Sequence, residues 1–443
     1  MKNPLNLIVL SLCFSSLAAE AQTREEKVRD DRERVVSTGF WIYNDLPKAF
    51  AKAKSTGKPI VVALRCIPCE ECVKLDDDLV DTDPTIRPLL EQFVCVRVVS
   101  TNGLDLSLFQ YDTDQSFAMF MLNADRTIYG RFGTRSHRTE WVGDVSLPGL
   151  AKALQGALDL HKDFDKVKSR LAGKTGAALE YPSPEKYPSL KGKFTDRLNY
   201  QGDVVKSCIH CHQIGDARRD IYRSQKQPIP TKLLFPFPHP RSVGLIMDPN
   251  ERATVKEVVA GSLAAKAGFQ TADQIESLDE QPLLSIADIQ WVLNDAEPAG
   301  DVVMAQVRGT DGTVRKIEWH LPEGWRQADD IAWRVSSWGY RRMVTGGMKL
   351  AALSAEERTA ANIPPGQMAL RVEHVGKYGQ HGVANRAGIK EADIVTGFAG
   401  QTNLMTPSLL LAWGVTHTRP NEKVDVVLMR DGKEMTKKIL MQQ

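Results

Sequence analysis

The chain has 443 residues, of which 42% are hydrophobic and 25% charged, a composition typical of soluble globular proteins. That length exceeds the usual size of one hydrophobic core and therefore predicts several domains. The formal net charge of +2, without a long basic run, excludes electrostatic recognition of a nucleic acid as the main activity.

The N-terminus has the pattern of an export signal. Lys2 gives a basic start, an apolar stretch runs over residues 5–17, and Ala19-Glu20-Ala21 forms a cleavage site. We expect residues 1–21 to be removed and the mature chain to be periplasmic or secreted. The apolar stretch is too short to span a bilayer, and no later segment is long enough, so no transmembrane segment is expected in the mature chain. Thiols can oxidise and haem can be attached in that compartment.

The next part of the chain predicts an α/β domain. Residues 22–39 are rich in charge and are interpreted as a flexible linker. Beyond them, helical spacing alternates with short apolar runs such as "PIVVAL", "FVCVRVV" and "FAMFML", which are typical of buried strands. A hairpin arm and an amphipathic helix complete the region at residue 164. The pattern of an alanine-rich helix, Lys-Pro, a strand and C-x-x-C over residues 40–164 resembles secreted thioredoxin-like domains.

The last 200 residues contain an internal repeat. The segment "AAKAGFQTADQI" (264–275) matches "ANRAGIKEADIV" (384–395), and a D-G turn between two predicted strands follows in each copy. A repeat offset of this size indicates two duplicated domains. Both copies resemble bacterial PDZ domains. The predicted PDZ domains cover 241–323 and 365–443, with a connector over 324–364 and a polar spacer over 165–240.

Taken as a whole, the chain resembles a bacterial secreted family of thioredoxin-like/PDZ proteins and selenoproteins. Some members of that family place selenocysteine in the cysteine motif. The expected fold class is multidomain, α/β plus mainly β: a thioredoxin-like domain, a spacer that carries a haem motif, and two PDZ domains.

The first cysteine cluster, "RCIPCEECVKL", contains two overlapping C-x-x-C pairs, Cys66–Cys69 and Cys69–Cys72. A cysteine at the N-terminus of a helix ionises more readily, and a second cysteine one turn later lies within disulfide reach. The resemblance to thioredoxin-like domains places the first motif cysteine about ten residues after Lys-Pro, which favours Cys69 as nucleophile and Cys72 as resolving cysteine. Pro68 would suit a C-x-P-C motif, so Cys66 stays an alternative partner. A structural disulfide or a soft-metal site are the other interpretations.

Two features depart from the thioredoxin pattern. Phe117 occupies the position where thioredoxins have a cis-proline before a strand, which puts the usual substrate-docking backbone in question. Glu70, Glu71 and the run Asp76–Asp78 add negative charge that opposes thiolate formation. Cys95 lies in a predicted strand and is expected to be a buried apolar residue.

The second cysteine cluster, "KSCIHCHQIGDARR", contains C-x-x-C-H at Cys208, Cys211 and His212. Two thioether links and an adjacent histidine ligand are the pattern of c-type haem attachment. From the chain's composition about 0.002 occurrences are expected by chance. His239 and Met247 are candidate ligands for the other face of the iron. Zinc, with His239 as a distant fourth ligand, and a plain disulfide are the alternatives.

PDZ domains bind the C-terminus of a peptide by adding it as a strand, so a protein or peptide C-terminus is the expected partner. No serine-protease or HExxH motif accompanies the repeats. The first PDZ copy supplies the residues expected to hold the peptide, three in the carboxylate loop and three on the following helix: Val243, Gly244, Leu245, Ile286, Ile289 and Leu293.

Two functions follow from these motifs. The first hypothesis is an exported thiol–disulfide oxidoreductase that combines the Cys69/Cys72 site, a covalent haem for electron transfer and PDZ docking. The alternative is a non-enzymatic PDZ scaffold that binds peptides and carries structural disulfides or a zinc site. Cysteine spacing favours the first function, and Phe117 favours the second.

Overall fold

The computed structural model describes residues 22–65, 67, 83–115, 117–134 and 145–442. Within these ranges no helix is long and apolar enough to cross a membrane. The described chain forms an N-terminal α/β domain and two β-sheet domains that contain the sequence repeat, here called the first and second repeat domains.

The N-terminal domain is built on a five-stranded sheet with the order β1-β3-β2-β4-β5. The strands β1, β2 and β3 are parallel, whereas β4 and β5 run antiparallel to their neighbours. All residues of β2, β3 and β4 are buried, which explains their continuous apolar sequences. The elements of this domain are α1 (Arg24–Thr38), β1 (Ile42–Tyr43), α2 (Leu46–Thr56), β2 (Ile60–Arg65), α3 (Ile86–Leu90), β3 (Val94–Val98), β4 (Phe117–Leu122), β5 (Ile128–Thr134) and α4 (Leu147–Lys162).

The predicted flexible linker over 22–39 is wrong, because this segment forms helix α1. Thr23 and Glu26 form a reciprocal capping box at its start. The buried Asp31 carboxylate pairs with the buried guanidinium of Arg97 in β3, at 2.7 Å between Oδ1 and Nη2. A charge pattern that looked unable to fold is therefore ordered by an ion pair with a strand 66 residues away.

The spacer over 165–240 also differs from its prediction. It contains three helices: α5 (Phe164–Val167), α6 (Cys211–Ser224) and α7 (Thr231–Leu234). Its few apolar side chains, including Tyr187, Leu190 and Ile214, are buried in the same hydrophobic cluster as the strands of the N-terminal sheet. The spacer builds no core of its own. These residues complete the core of the N-terminal domain, and Ile229, Leu233, Leu234 and Phe235 near its end belong to the core of the second repeat domain.

The two repeat domains share one order of elements. In each, a short helix ends at a glycine with positive φ, Gly268 or Gly388, and a strand, a longer helix and a β-hairpin follow. The first repeat domain contains β6 (Leu245–Met247), β7 (Val255–Val258), α8 (Leu263–Ala267), β8 (Gln274–Leu278), β9 (Gln281–Pro282), α9 (Ile286–Asp295), β10 (Asp301–Arg308) and β11 (Val314–Leu321).

The second repeat domain begins earlier than its predicted boundary at residue 365. The segment predicted as a connector contributes α10 (Ser337–Thr345), β12 (Met348–Ala352) and α11 (Ala355–Ala360), and β12 is an edge strand of the sheet β12-β13-β14-β15-β16. The remaining elements are β13 (Leu370–Val375), α12 (Val383–Arg386), β14 (Ile394–Phe398), α13 (Pro407–His417), β15 (Lys423–Arg430) and β16 (Lys433–Leu440).

Candidate functional site

The residues that flank the first cysteine cluster are held firmly, although Cys66, Cys69 and Cys72 themselves lie outside the described residues. Arg65 is the last residue of β2 and is paired with Phe117 across the antiparallel neighbour β4. Ile67 is buried in a small apolar cluster with Val28 of α1, Val99 and Val204 of the spacer. Arg65, before Cys66, therefore lies at the end of the sheet. Ile67, after Cys66, contacts the segment that leads to the second cysteine motif.

The C-x-x-C-H motif docks on the end of β3. The backbone N–H of Thr101, just beyond that strand, donates to the carbonyl of Ile209 at 3.2 Å, and the Thr101 hydroxyl donates to the same oxygen at 2.8 Å. Cys208 lies in the loop before α6, and Cys211 is the first residue of that helix. The Tyr111 hydroxyl donates to the Cys211 sulfur at 3.1 Å. The motif is thus part of the N-terminal domain surface.

A small internal cavity joins the surroundings of the two cysteine clusters. Arg65, the described residue that precedes the first cluster, lines this cavity together with Cys208, His210 and Cys211. Its volume is about 10 Å³, roughly the space of one water molecule. The second cysteine motif and Arg65, the residue that precedes the first cluster, therefore lie at the same end of the central strands β2 and β3.

Burial controls the ionisation of the second motif. It raises the pKa of the Cys211 thiol to about 11, against the opposing hydrogen bond from Tyr111. It also raises the pKa of Cys208, against a hydrogen bond with Ser100. Both thiols are consequently protonated at neutral pH when they are not bonded to another group.

The surroundings of Cys208, Cys211 and His212 do not fit a haem. Thioether links require both sulfurs to face one macrocycle, but Cys208 is 7% exposed and the Cys211 sulfur is covered by Tyr111. The cavity beside them is far smaller than a porphyrin. Haem at this motif stays a prediction from the sequence.

The other metal ligands expected from the sequence are not brought to the motif. His239 and Met247 are buried in the first repeat domain, where Met247 belongs to its hydrophobic core. The His212 imidazole instead forms a contact of 3.2 Å with the Asp216 carboxylate, one turn later on α6. Among the described residues no group of three metal-binding side chains is found, so the zinc alternative lacks a ligand set there.

An ion pair fixes helix α6 to the spacer. The Arg218 guanidinium donates two hydrogen bonds to the Glu180 carboxylate, at 2.9 and 3.0 Å, and the Tyr187 hydroxyl donates a third at 2.9 Å. Burial raises the pKa of Glu180, but the hydrogen bonds and charge of Arg218 outweigh this effect and hold the pKa below its usual value. Glu180 therefore stabilises the fold in its ionised form.

We expect Glu180→Gln to lower the free energy of unfolding by about 1 kcal/mol at pH 7, because a charge-assisted bidentate pair is lost. The stabilisation from a lowered carboxyl pKa is present above the ordinary value of 4.5 and disappears as the pH falls through the folded-state pKa. The difference in the free energy of unfolding between wild type and variant, measured by urea unfolding, should therefore become smaller below pH 4.5. The exposed Glu323→Gln variant is the control. A difference that is constant with pH would contradict the prediction.

The predicted peptide groove of the first repeat domain is closed. Val243, Gly244, Leu245, Ile286, Ile289 and Leu293 are all buried. The side chains among them belong to the hydrophobic core of the domain itself. Helix α9 also packs against the N-terminal domain. The Asp288 carboxylate of α9 pairs with Lys174 at 2.9 Å, both fully buried, and Trp291 stacks on the Arg131 guanidinium at 3.7 Å from the ring centre. The six residues thus lie in the interior of the domain in this structure, and peptide binding by this domain stays a prediction.

The second repeat domain has an open groove beside β12. This edge strand pairs with β13 on one side, and within the described chain no strand covers its other side. The groove has a volume of about 1580 Å³ and lies between β12, the first turn of α13 and the segment before α10. The Ser408 hydroxyl accepts from the Ile331 N–H at 2.9 Å and donates to Asp330, which fixes that turn of α13. Trp338, 58% exposed, lines one wall.

The sequence analysis did not identify two parts of these sites, the contact of Tyr111 with Cys211 and the strand β12. Tyr111 is 100 residues from Cys211 and carries no local motif, so nothing in the sequence indicated their contact. The β12 strand had an available signal. The Gly-Gly-Met sequence at 346–348 precedes it as Gly244 precedes β6, and extending the repeat alignment upstream would have revealed the equivalence.

Comparison with known proteins supports one part of this architecture. A family model described as thioredoxin-like matches residues 41–124. The N-terminal domain is thioredoxin-like. The match covers the strands β1 to β4 and the first cysteine cluster, but not the C-x-x-C-H motif.

Solved structures give a weaker likeness. The HtrA-type protease AlgW with decapeptide is 14% identical, with a TM-score of 0.20 and coverage of 32% of this chain and 49% of that chain. The same protease with tripeptide is 15% identical, with a TM-score of 0.19 and coverage of 32% and 53%. This chain thus spans about half the length of the solved structures it matches. No curated protein matches it.

Proposed function

We propose that this protein is an exported thiol–disulfide exchange protein. The observation that carries the proposal is the thioredoxin-like match over 41–124, which contains a C-x-x-C cluster directly after the central strand β2. Cys69 is the proposed nucleophile and Cys72 the resolving cysteine, with Cys66 as the alternative partner. Export through residues 1–21 would bring the thiols to a compartment where protein disulfides are available as substrates.

In the proposed reaction, the Cys69 thiolate attacks one sulfur of a substrate disulfide and displaces the other as a thiolate. Cys72 then attacks the resulting mixed disulfide, which releases the reduced substrate and leaves an intramolecular disulfide. The acidic residues Glu70, Glu71 and Asp76–Asp78 disfavour the thiolate form, so we expect a less acidic nucleophile than in strongly oxidising relatives.

We further propose that the second repeat domain is the PDZ-type docking module for a peptide or protein C-terminus. The free edge of β12 offers unpaired backbone groups to an added strand. Trp338 and Leu350 give the groove an apolar wall. Arg341 and Lys349 also line it, and Lys349 pairs with the Glu373 carboxylate at 2.9 Å. The first repeat domain would hold this module in position through its buried contacts with the thioredoxin-like domain.

The docking proposal predicts that Trp338→Ala weakens peptide binding about tenfold, as expected for an exposed aromatic anchor. Peptides with free C-termini, selected by display on the full chain, would be titrated against wild type and variant by fluorescence anisotropy. Val314→Ala, which removes an exposed apolar side chain from the first repeat domain, is the control. Equal affinity of all three proteins would refute the assignment of the groove.

A further inference from the structure

Cys208 and Cys211 are placed as a pair. They have C-x-x-C spacing, with Cys211 at the first position of α6, and both line the same small cavity. Their sulfurs are near enough that the charge of one thiolate raises the pKa of the other. Each also has a hydroxyl neighbour, Tyr111 at the Cys211 sulfur and Ser100 at the Cys208 sulfur.

We propose that Cys208 and Cys211 form a second redox couple, which cycles between a dithiol and an intramolecular disulfide by exchange with a protein disulfide. The motif then serves as a dithiol and not as a haem anchor. His212 becomes a surface partner of Asp216, in keeping with their contact of 3.2 Å.

The exchange step balances without a further reagent. The thiol of Cys211, which is half-buried whereas Cys208 is buried, loses its proton and attacks a sulfur of the partner disulfide, whose S–S bond breaks as a mixed disulfide forms. The other thiol, also deprotonated, attacks the mixed disulfide and closes the Cys208–Cys211 bond. Two electrons pass to the partner, and its two thiolates take up two protons.

The environment favours the disulfide form of this couple. Burial does not stabilise either thiolate, whereas a disulfide carries no charge and suits the packed surroundings of both sulfurs. Low thiolate stability in the reduced form makes a dithiol a reductant, the opposite of strongly oxidising dithiols. The proposed direction of exchange, from the Cys208–Cys211 dithiol to a partner disulfide, agrees with this environment and rests on the placement of both thiols beside one cavity.

The position of the couple indicates where that disulfide can come from. Arg65 lines the shared cavity, and Ile67 packs on Val204, four residues before Cys208. These contacts flank Cys66 in the sequence, so the disulfide of the first cluster is one source, and another exported protein is the second. The inference extends the proposed exchange function, but formation of the Cys208–Cys211 bond can be measured without any activity of Cys69.

The test uses the mature full chain, equilibrated in glutathione buffers of graded potential, quenched in acid, unfolded and labelled with a thiol reagent. We expect labelling of the peptide with Cys208 and Cys211 to fall at least about tenfold in oxidising buffer, at both cysteines together, and to return fully in reducing buffer. A Cys95→Ser variant should behave identically. Full labelling of both cysteines after oxidation would overturn the proposal.

Further outcomes distinguish the alternatives. Protection that reductant cannot reverse, together with a Soret band after expression with haem-attachment machinery, would establish thioether links and overturn the proposal. If a chelator restored the labelling of both cysteines, zinc binding would be established and the proposal would be overturned. With insulin as the disulfide, oxidation of the reduced pair supports the proposal. A slower rate in a variant carrying Cys66→Ser, Cys69→Ser and Cys72→Ser would identify the first cluster as the direct partner.

Discussion

In a full chain that carries Cys208→Ser and Cys211→Ser, and so lacks the second proposed couple, insulin reduction should fall on the order of a hundredfold or more when Cys69 is replaced by serine. Cys69 belongs to both overlapping C-x-x-C pairs, so its loss removes the nucleophile of the pair Cys69–Cys72 or the second cysteine of the pair Cys66–Cys69. A serine hydroxyl cannot attack a disulfide at neutral pH, because the thiolate is the reactive species. The rate of dithiothreitol-driven insulin precipitation measures this effect directly.

Two further variants identify the resolving cysteine. Cys72→Ser should accumulate a mixed disulfide with the substrate, visible as a mass adduct, whereas Cys66→Ser should retain most of the activity. The reverse pattern would assign the pair Cys66–Cys69. Cys95→Ala is the control, since Cys95 is buried in β3, with its thiol donating to the Leu90 carbonyl at 3.3 Å. Unchanged activity of Cys69→Ser would exclude Cys69 as the nucleophile.

Arg334→Met should lower the free energy of unfolding by about 3–5 kcal/mol, the largest stability effect that we expect in this protein. The buried Arg334 guanidinium contacts the carboxylates of Asp112 at 2.6 Å and Asp114 at 3.4 Å, in the N-terminal domain, and Asp329 at 3.8 Å. Burial opposes its charge, but these carboxylates outweigh the burial and raise the pKa of Arg334. Methionine fills similar volume but leaves buried carboxylates without their cation.

Urea unfolding followed by tryptophan fluorescence measures this loss, since Trp333 lies against the Arg334 guanidinium. The matched control is Arg197→Met, which removes the same charge from an exposed position and should change stability by less than about 0.5 kcal/mol. Similar effects of the two variants would show that the cluster does not join the N-terminal domain to the segment before the second repeat domain.

Local sequence patterns were sufficient to predict the strands β2, β3 and β4 and the helix α4 of the thioredoxin-like domain. The apolar runs of β2, β3 and β4 form the buried strands that they predict, and the amphipathic segment after residue 146 forms α4. Cys95 is buried as expected from its position in a strand. These predictions are correct because a central strand that is buried on both faces consists of consecutive apolar residues, which can be read from the local sequence.

Domain boundaries and the folding of the segments 22–39 and 165–240 were harder to predict, because they depend on contacts with residues far away in the sequence. Helix α1 is ordered by Asp31 and Arg97, and the spacer by contacts with a core built mostly from residues 46–128. Both segments have the composition of linkers, and only the complementary surface of the folded domain makes them part of it.

The sequence by itself determined which chemistry this protein carries: overlapping cysteine pairs after a buried strand, a C-x-x-C-H motif and a duplicated C-terminal domain. Only the tertiary structure decided how those parts are used. It buries Cys208 and half-buries Cys211 against the end of β3, packs the first repeat domain on Lys174 and Arg131, and leaves the edge of β12 open. The physical reason is that a motif specifies reactive groups locally, whereas their burial, pairing and access depend on which distant surfaces pack against them.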